Sequence, residues 1–285
     1  MIDLQLPSRR ELVHETLRLI RRYHIKPKRS LGQNFVVDPN LIRDLIMAAD
    51  LRAHDVVLEI GAGLGTLTRY LARCSRKVIA IEVDRRLVRV LRDVLREYDN
   101  VEVIEGDALD IKWPSVDKVI SNIPYSISSP ITEKLLSEGK FHTAVLTYQL
   151  EFARRLCAKP GSDDYGRITI LAYYYAEVEL LRVVPRESFI PRPEVLSAIV
   201  RMVPKRIRLQ VADEELFFRV VRELFTQRGR TLRKALKVVG RRLGVEECVM
   251  TRIGEVIDLR TRVEHLRPED FAVIANIIAE QELHS

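Results

Sequence analysis

Asn122-Ile123-Pro124-Tyr125 brings together three groups that can act on a single nitrogen. An exocyclic amino group on an aromatic base is a poor nucleophile, because its lone pair is delocalised into the ring. The amide oxygen of Asn122, and a backbone carbonyl at or just before the rigid Pro124, can accept its two hydrogens and favour a more tetrahedral nitrogen. Tyr125 adds a flat face on which a base can stack. The chemistry this set suits is methylation of an amino nitrogen. The same four residues also suit a plain strand end and turn, since Asn and Pro are turn formers and Tyr is common at half-buried positions. What lies upstream bears on the choice.

Val56-Val57-Leu58-Glu59-Ile60 reads as a buried strand running straight into Gly61-Ala62-Gly63-Leu64-Gly65, with Thr66-Leu67-Thr68-Arg69-Tyr70-Leu71 as the helix that follows. Glycines in such a turn permit positive φ and close ligand approach, and the helix start presents unpaired amides. The G-x-G-x-G spacing differs from the dinucleotide G-x-G-x-x-G and favours S-adenosylmethionine over a pyrophosphate. Lys77-Val78-Ile79-Ala80-Ile81-Glu82 ends in an acid about 20 residues after the first glycine, where a carboxylate can accept both ribose hydroxyls of a nucleoside. Val101-Glu102-Val103-Ile104 then leads to Asp107, whose carboxylate can accept from an adenine amino group. Taken singly, each acid reads equally as a helix cap or a solvated loop charge. Recurring at strand ends after a glycine turn, they match the rule that open α/β sheets bind ligands beyond the carboxyl ends of their strands.

The chain resembles the KsgA-type family of rRNA adenine N6,N6-dimethyltransferases over nearly all its length. The matching blocks, in order, are Leu31-Gly32-Gln33-Asn34-Phe35, the glycine-turn unit from Glu59 to Thr68, Ile81-Glu82, Gly106-Asp107-Ala108, Asn122-Ile123-Pro124-Tyr125-Ser126-Ile127-Ser128, Tyr165-Gly166-Arg167, Phe189-Ile190-Pro191-Arg192-Pro193 and Arg233-Lys234-Ala235-Leu236. The resemblance implies a Rossmann-like class I methyltransferase fold with a small all-helical C-terminal domain. It also implies transfer of two methyl groups from S-adenosylmethionine to each of two adjacent adenosines near the 3′ end of small-subunit rRNA. The family's cofactor contacts fall on Gln33, Asn34, Val36, Gly61, Gly63, Glu82, Asp107 and Asn122. Val36 stands where Leu is usual, a change that a main-chain contact would not feel. Asn122, Pro124 and Tyr125 take the catalytic positions. Phe189 matches an aromatic that closes on the other face of the target adenine, so that Tyr125 and Phe189 would sandwich the base. One departure falls at Gln149-Leu150-Glu151, where the family more often places a lysine before the glutamate.

Because a sulfonium is already an excellent leaving group, an in-line displacement needs positioning more than a strong base. No essential His or Cys and no metal are then expected. The six histidines show no metal-ligand spacing, and Cys74, Cys157 and Cys248 are too far apart for a zinc knuckle or redox pair.

A 285-residue chain with 47% hydrophobic content can bury a large core, dividing into one domain and a smaller appendage. No apolar run reaches membrane-spanning length and the N-terminus lacks a signal-peptide apolar region, so a cytoplasmic protein without a membrane partner is expected. The net charge of +7 points to a polyanionic partner. From Arg219 to Arg242 the chain carries nine Lys or Arg residues against the single acid Glu223. Two apolar ladders at helical spacing run beneath this charge, one on Phe217, Val220, Val221 and Leu224, the other on Leu232, Ala235, Leu236 and Val239. The helices they predict are joined by Gln227-Arg228-Gly229-Arg230. Arg228, Arg230, Arg233, Lys234 and Lys237 are the candidate RNA contacts, and a second basic segment, 21–29, precedes the Leu31 loop. The expected partner is small-subunit rRNA in a pre-ribosomal 30S particle, and the expected state a monomer.

The coarse organisation places a helix over 8–23 opened by a Ser8–Glu11 capping box, a second capped at Asp38-Pro39, a parallel doubly wound sheet over 56–149, and antiparallel final strands at 168–184 and 198–203. A boundary at Pro204 gives domains 1–204 and 205–285, the second helical and closed by a helix from Pro268. Three alternatives stay open: an adenine methyltransferase of large-subunit rRNA, a ribosome-assembly factor of the same fold, and a nicotinamide-dependent dehydrogenase. The last leaves Asn122 to Tyr125 and the basic helices without a role.

Overall fold

The computed structural model describes residues 5–282. Five strands carry the parallel part of its main sheet: β2 (Val56–Ile60), β3 (Lys77–Glu82), β4 (Val101–Glu105), β5 (Lys118–Asn122) and β6 (Thr143–Gln149). A two-residue strand, β1 (Phe35–Val36), precedes them, and β7 (Ala176–Val184), β8 (Phe189–Ile190) and β9 (Ser197–Pro204) follow. The seven-stranded sheet runs β4-β3-β2-β5-β6-β9-β7, and β9 pairs antiparallel with β6. β1 and β8 form a separate antiparallel pair, Phe35 opposite Ile190 and Val36 opposite Phe189. Strands such as Val-Val-Leu-Glu-Ile and Lys-Val-Ile-Ala-Ile-Glu are largely apolar because a parallel sheet is covered on both faces, Glu59 being a buried exception. Their register sets Ile60 beside Ile81 and Glu82 beside Glu105. The residues just past these ends, and Asn122 at the end of β5, therefore meet at one edge of the sheet.

The helices of this part are α1 (Arg9–Arg22), α2 (Pro39–Ala48), α3 (Thr66–Cys74), α4 (Arg85–Val94) and α5 (Ser128–Glu138). The Ser8–Glu11 capping box opens α1, and the Asp38 side chain accepts from the Asn40 amide at the start of α2. Leu41, Ile42, Leu45 and Ile46 of α2 pack with Val57, Ile120 and Val145, all at most 1% exposed. Burial of each such side chain stabilises by about 1.5–3 kcal/mol.

The remaining helices are α6 (Leu150–Leu156), α7 (Arg167–Tyr175), α8 (Glu214–Phe225), α9 (Leu232–Leu243), α10 (Glu247–Val256) and α11 (Pro268–Glu282). α7 corrects the expected strand over 168–184, of which only Ala176–Val184 is extended. The run Ile-Thr-Ile-Leu-Ala-Tyr-Tyr-Tyr favours a strand by composition, but tertiary partners override that propensity. The Gly166 amide donates to Thr169 Oγ1 at 3.1 Å, and that hydroxyl donates to the Arg155 carbonyl at 2.6 Å. Tyr174 and Tyr175 stack against Phe217 and Phe218, and both their hydroxyls donate to Glu214. The compact units shift accordingly. One comprises the chain up to Ala153 with Val178–Pro204; the other joins Arg154–Glu177 to the chain from Lys205. The division at 204 therefore omits one helical segment that clusters with the C-terminal helices. Tyr165 of that segment is fully buried, its hydroxyl donating to the Leu266 carbonyl, so the Tyr165-Gly166-Arg167 block has a packing role.

Candidate active site

The turn after β2 is built from three left-handed residues, Gly61 (φ 73°), Gly63 (φ 61°) and Gly65 (φ 78°), where a side chain would be strained. The Gly63 amide donates to Glu82 Oε2 at 2.9 Å, and Glu82 Oε1 accepts from the Asp84 amide at 3.0 Å. Each oxygen retains a lone pair for a ligand. Burial holds the Glu82 carboxyl above the usual range, against the pull of these amides. Asp107 follows β4, its Oδ1 accepting from the Leu109 amide at 2.8 Å. Glu82, Asp107, Gly61, Gly63, Gln33, Asn34, Asn122 and Pro124 all border one cleft of about 550 Å³. A mostly apolar lining from Leu31, Phe35, Ile60 and Ile81 with a few polar groups among it suits a nucleoside-like ligand.

Asn122 ends β5. Its Nδ2 donates to the Asn34 carbonyl at 3.0 Å, while its Oδ1 is buried and accepts no hydrogen bond among the described residues. A buried acceptor left open costs about 1–3 kcal/mol, so a ligand donor is implied. This is also the fit test for S-adenosylmethionine: Gln33, Asn34, Gly61, Gly63, Glu82, Asp107 and Asn122 border one cleft, and Asn122 offers a buried acceptor there that no protein donor engages among the described residues. The Pro124 carbonyl already accepts from the Ile127 amide at 3.1 Å, leaving its second lone pair. Gly32 (φ 61°) lies against this segment so closely that a Cβ would stand 2.8 Å from the Tyr125 amide nitrogen.

A second cleft of about 1040 Å³ shares Gly32, Gln33 and Asn34 with the first and is bordered further by Tyr125, Ser126, Gln149 and the 191–195 loop. Tyr125 is half-buried, and its hydroxyl is hydrogen-bonded to Ser197 Oγ, which fixes the ring. Burial raises its pKa, so the phenol stays neutral. Phe189 is not in this cleft. It is 0% exposed within the core formed with Leu12, Val36, Ile42 and Val184, because its pairing with Val36 turns it inward. The expected sandwich is corrected in this respect: Pro191, Arg192 and Pro193 border the cleft in its place. Val36 likewise belongs to that core and reaches only a smaller side cavity.

Gln33 borders both clefts, yet its amide is engaged within the protein. Nε2 donates to Asp84 Oδ2 at 3.0 Å, and Oε1 accepts from the Lys28 amide at 2.8 Å. The Arg86 guanidinium beside Asp84 holds that carboxyl well below the usual carboxylate range. Gln33 therefore ties the Leu31 loop to the cap of α4. The Ser197 partner of Tyr125 has no signal in the sequence, because it comes from a distant strand. Leu150 occupies the place of the family's lysine, its amide donating to the Leu196 carbonyl.

In the helical unit, α8 and α9 carry the predicted basic surface. Arg230, Arg233, Lys234 and Lys237 are exposed and make no ion pair among the described residues. Arg228 differs. Its guanidinium pairs with Glu264 at 3.2 Å and donates to the Ser162 carbonyl at 2.8 Å, bracing the turn. No group of His, Cys, Asp or Glu among the described residues could hold a metal, and no helix there is long and apolar enough to cross a membrane.

Comparisons with known proteins agree with this geometry. The chain is 42% identical over 262 residues to the probable ribosomal RNA small subunit methyltransferase A of Methanosarcina acetivorans, covering 91% of this chain and 96% of that protein. It is 44% identical to the protein so named in Methanopyrus kandleri, over 90% and 94%. Among solved structures, a dimethyladenosine transferase from Plasmodium falciparum superposes with a TM-score of 0.75 at 30% identity, over 86% of this chain and 97% of that one. The 23S rRNA methyltransferase ErmE superposes with 0.65 at 32%, over 86% and 100%. The model of the family described as ribosomal RNA adenine dimethylase matches residues 24–280, and with that span the chain belongs to this family.

Proposed function

We infer that this chain is an S-adenosylmethionine-dependent dimethyltransferase acting on N6 of two adjacent adenosines near the 3′ end of small-subunit rRNA. The observation that carries the reading is the open, buried Oδ1 of Asn122, a residue that borders the first cleft and is tied to Asn34, which borders both that cleft and the one beside Tyr125. S-adenosylmethionine, when bound, supplies an electrophilic methyl on a sulfonium. Asn122 Oδ1 and the free lone pair of the Pro124 carbonyl accept the two amino hydrogens and orient the nitrogen lone pair. Tyr125, clamped by Ser197, supports the base ring. Glu82 and Asp107 hold the nucleoside half of the cofactor. Positioning of this kind contributes up to about 7–11 kcal/mol to such a step, with no covalent intermediate.

The substrate is read as rRNA in a pre-ribosomal 30S particle and the enzyme as a cytoplasmic monomer. Labelled S-adenosylmethionine given to small subunits lacking the modification should yield two adjacent dimethyladenosines near the 3′ end. The similarity to ErmE supports a second reading, methylation of large-subunit rRNA. Label found there and absent from the small subunit would move the assignment to it.

Exposed Arg233 and Lys234 are read as phosphate contacts. Charge reversal at both should weaken RNA binding and reduce the slope of log affinity against log salt by about 2, while cofactor affinity stays unchanged. A fall in cofactor affinity with an unaltered salt slope would contradict the phosphate role.

A further inference from the structure

Glu59, inside the glycine-turn strand, has no part in the contacts above. It is 3% exposed, and its Oε2 accepts no hydrogen bond among the described residues. Its side chain borders a side cavity of about 300 Å³ that shares Asn34, Phe35, Gly61, Gly63 and Asn122 with the cofactor cleft. The borders of these two cavities include Glu59, Glu82 and Asp107 and no Lys, Arg or His. A buried carboxylate without a cation is costly, so the group keeps a proton instead. Burial above all pushes Glu59 up to about 8; the Glu82 carboxyl adds to this, and the Thr68 hydroxyl opposes it. The lining is thus acidic and carries no cationic side chain, and one of its carboxyl oxygens is unpartnered among the described residues.

We propose that Glu59 is a proton-exchange site for the cationic methionine half of the cofactor, an inference that rests on S-adenosylmethionine being the methyl donor. In the empty protein the Glu59 carboxyl carries a proton. When an ammonium or sulfonium enters, the O–H bond breaks, the proton passes to solvent, and the carboxylate pairs with the arriving charge. One positive charge replaces another, so the buried site never holds an unpaired carboxylate. The sign follows from linkage: bound cofactor lowers the Glu59 pKa, so affinity is weaker at low pH and strengthens as pH rises towards about 8.

The test is calorimetry of S-adenosylmethionine binding to the full chain at pH 7, in phosphate and in Tris, whose ionisation heats differ. Wild-type protein should release a large fraction of a proton per cofactor, and Glu59→Gln, which copies the neutral form in shape, close to none. Repeating the titration with S-adenosylhomocysteine identifies the cation: release with both ligands assigns it to the ammonium, release with S-adenosylmethionine alone to the sulfonium, and both outcomes support the exchange. Buffer-independent heats in the wild type, or the same proton released by Glu59→Gln, would overturn it, the latter pointing to Glu82. Should Glu59→Gln not fold, the wild type alone decides. Its affinity should rise up to about tenfold per pH unit between about pH 5.5 and 7, and a flat profile would overturn the exchange. Absence of any binding would remove the methyl-donor reading itself, a different failure from binding without proton release.

Discussion

Asn122→Ala should lower the methyl-transfer rate by about 10²–10³-fold while RNA affinity stays nearly unchanged, since one preorganised hydrogen-bonding group at a reacting centre is worth about that much. Asn122 is held from one side only: Nδ2 is tied to the Asn34 carbonyl, while Oδ1 is buried and unpaired among the described residues. Truncation removes the acceptor and frees the Asn34 loop together, so a modest rise in cofactor KM should accompany the loss of kcat. If Arg233 and Lys234 are the phosphate contacts proposed above, RNA binding has no reason to change. Single-turnover methylation, measured beside filter binding of the same RNA, separates the two. An Asn122→Ala enzyme that still methylates at the wild-type rate would show that the amide does not hold the nucleophile.

The second large effect is expected at a residue with no side chain. In Gly32→Ala the new Cβ would stand 2.8 Å from the Tyr125 nitrogen and 3.2 Å from the Pro124 carbonyl carbon, both backbone atoms that cannot rotate away. The left-handed φ of 61° adds about 1–2 kcal/mol of its own for alanine. Either the Leu31 loop lifts or the Pro124-Tyr125 segment retreats, and displacement of about 1 Å at a reacting centre lowers rate by about 10²-fold. Gly229→Ala is the control: nothing lies within 4 Å of a Cβ there, and neither melting temperature nor rate should move. Full activity in a Gly32→Ala protein that merely melts earlier would mean that this close approach serves stability alone.

What could be read from the sequence was what sits on one continuous stretch of chain. The glycine turn, Glu82, Asp107 and Asn122 to Tyr125 each lie at or just past the end of a strand rich in β-branched residues, and parallel register then brings the strand ends together. What escaped depends on partners far away in sequence. Ser197 anchors Tyr125 across 72 positions, and Asp84 takes the Gln33 amide across 51. Residues 168–175 carry strand-like side chains but form α7, because Phe217, Phe218 and Glu214 reward a helix there. Phe189 looked like a stacking residue beside its prolines, and only its pairing with Val36 reveals an inward side chain. Glu59 looked like an ordinary member of the glycine motif, since nothing in a sequence distinguishes a carboxyl with a partner from one without.

The small β1–β8 ladder has a mechanical consequence for the cleft beside Tyr125. It joins the Leu31 loop to the Pro191 loop, and the union is reinforced where the Val37 amide donates to the Ser188 carbonyl, the Ser188 hydroxyl to Asp38, and Arg9 to the Glu187 carbonyl. Two borders of the cleft that are more than 150 positions apart in sequence therefore form one cooperative opening unit, and their amides at 35–37 and 188–190 would exchange with solvent at a common free energy. A ligand that displaces one border would have to move the other with it, so the cleft would open in one step rather than one loop at a time.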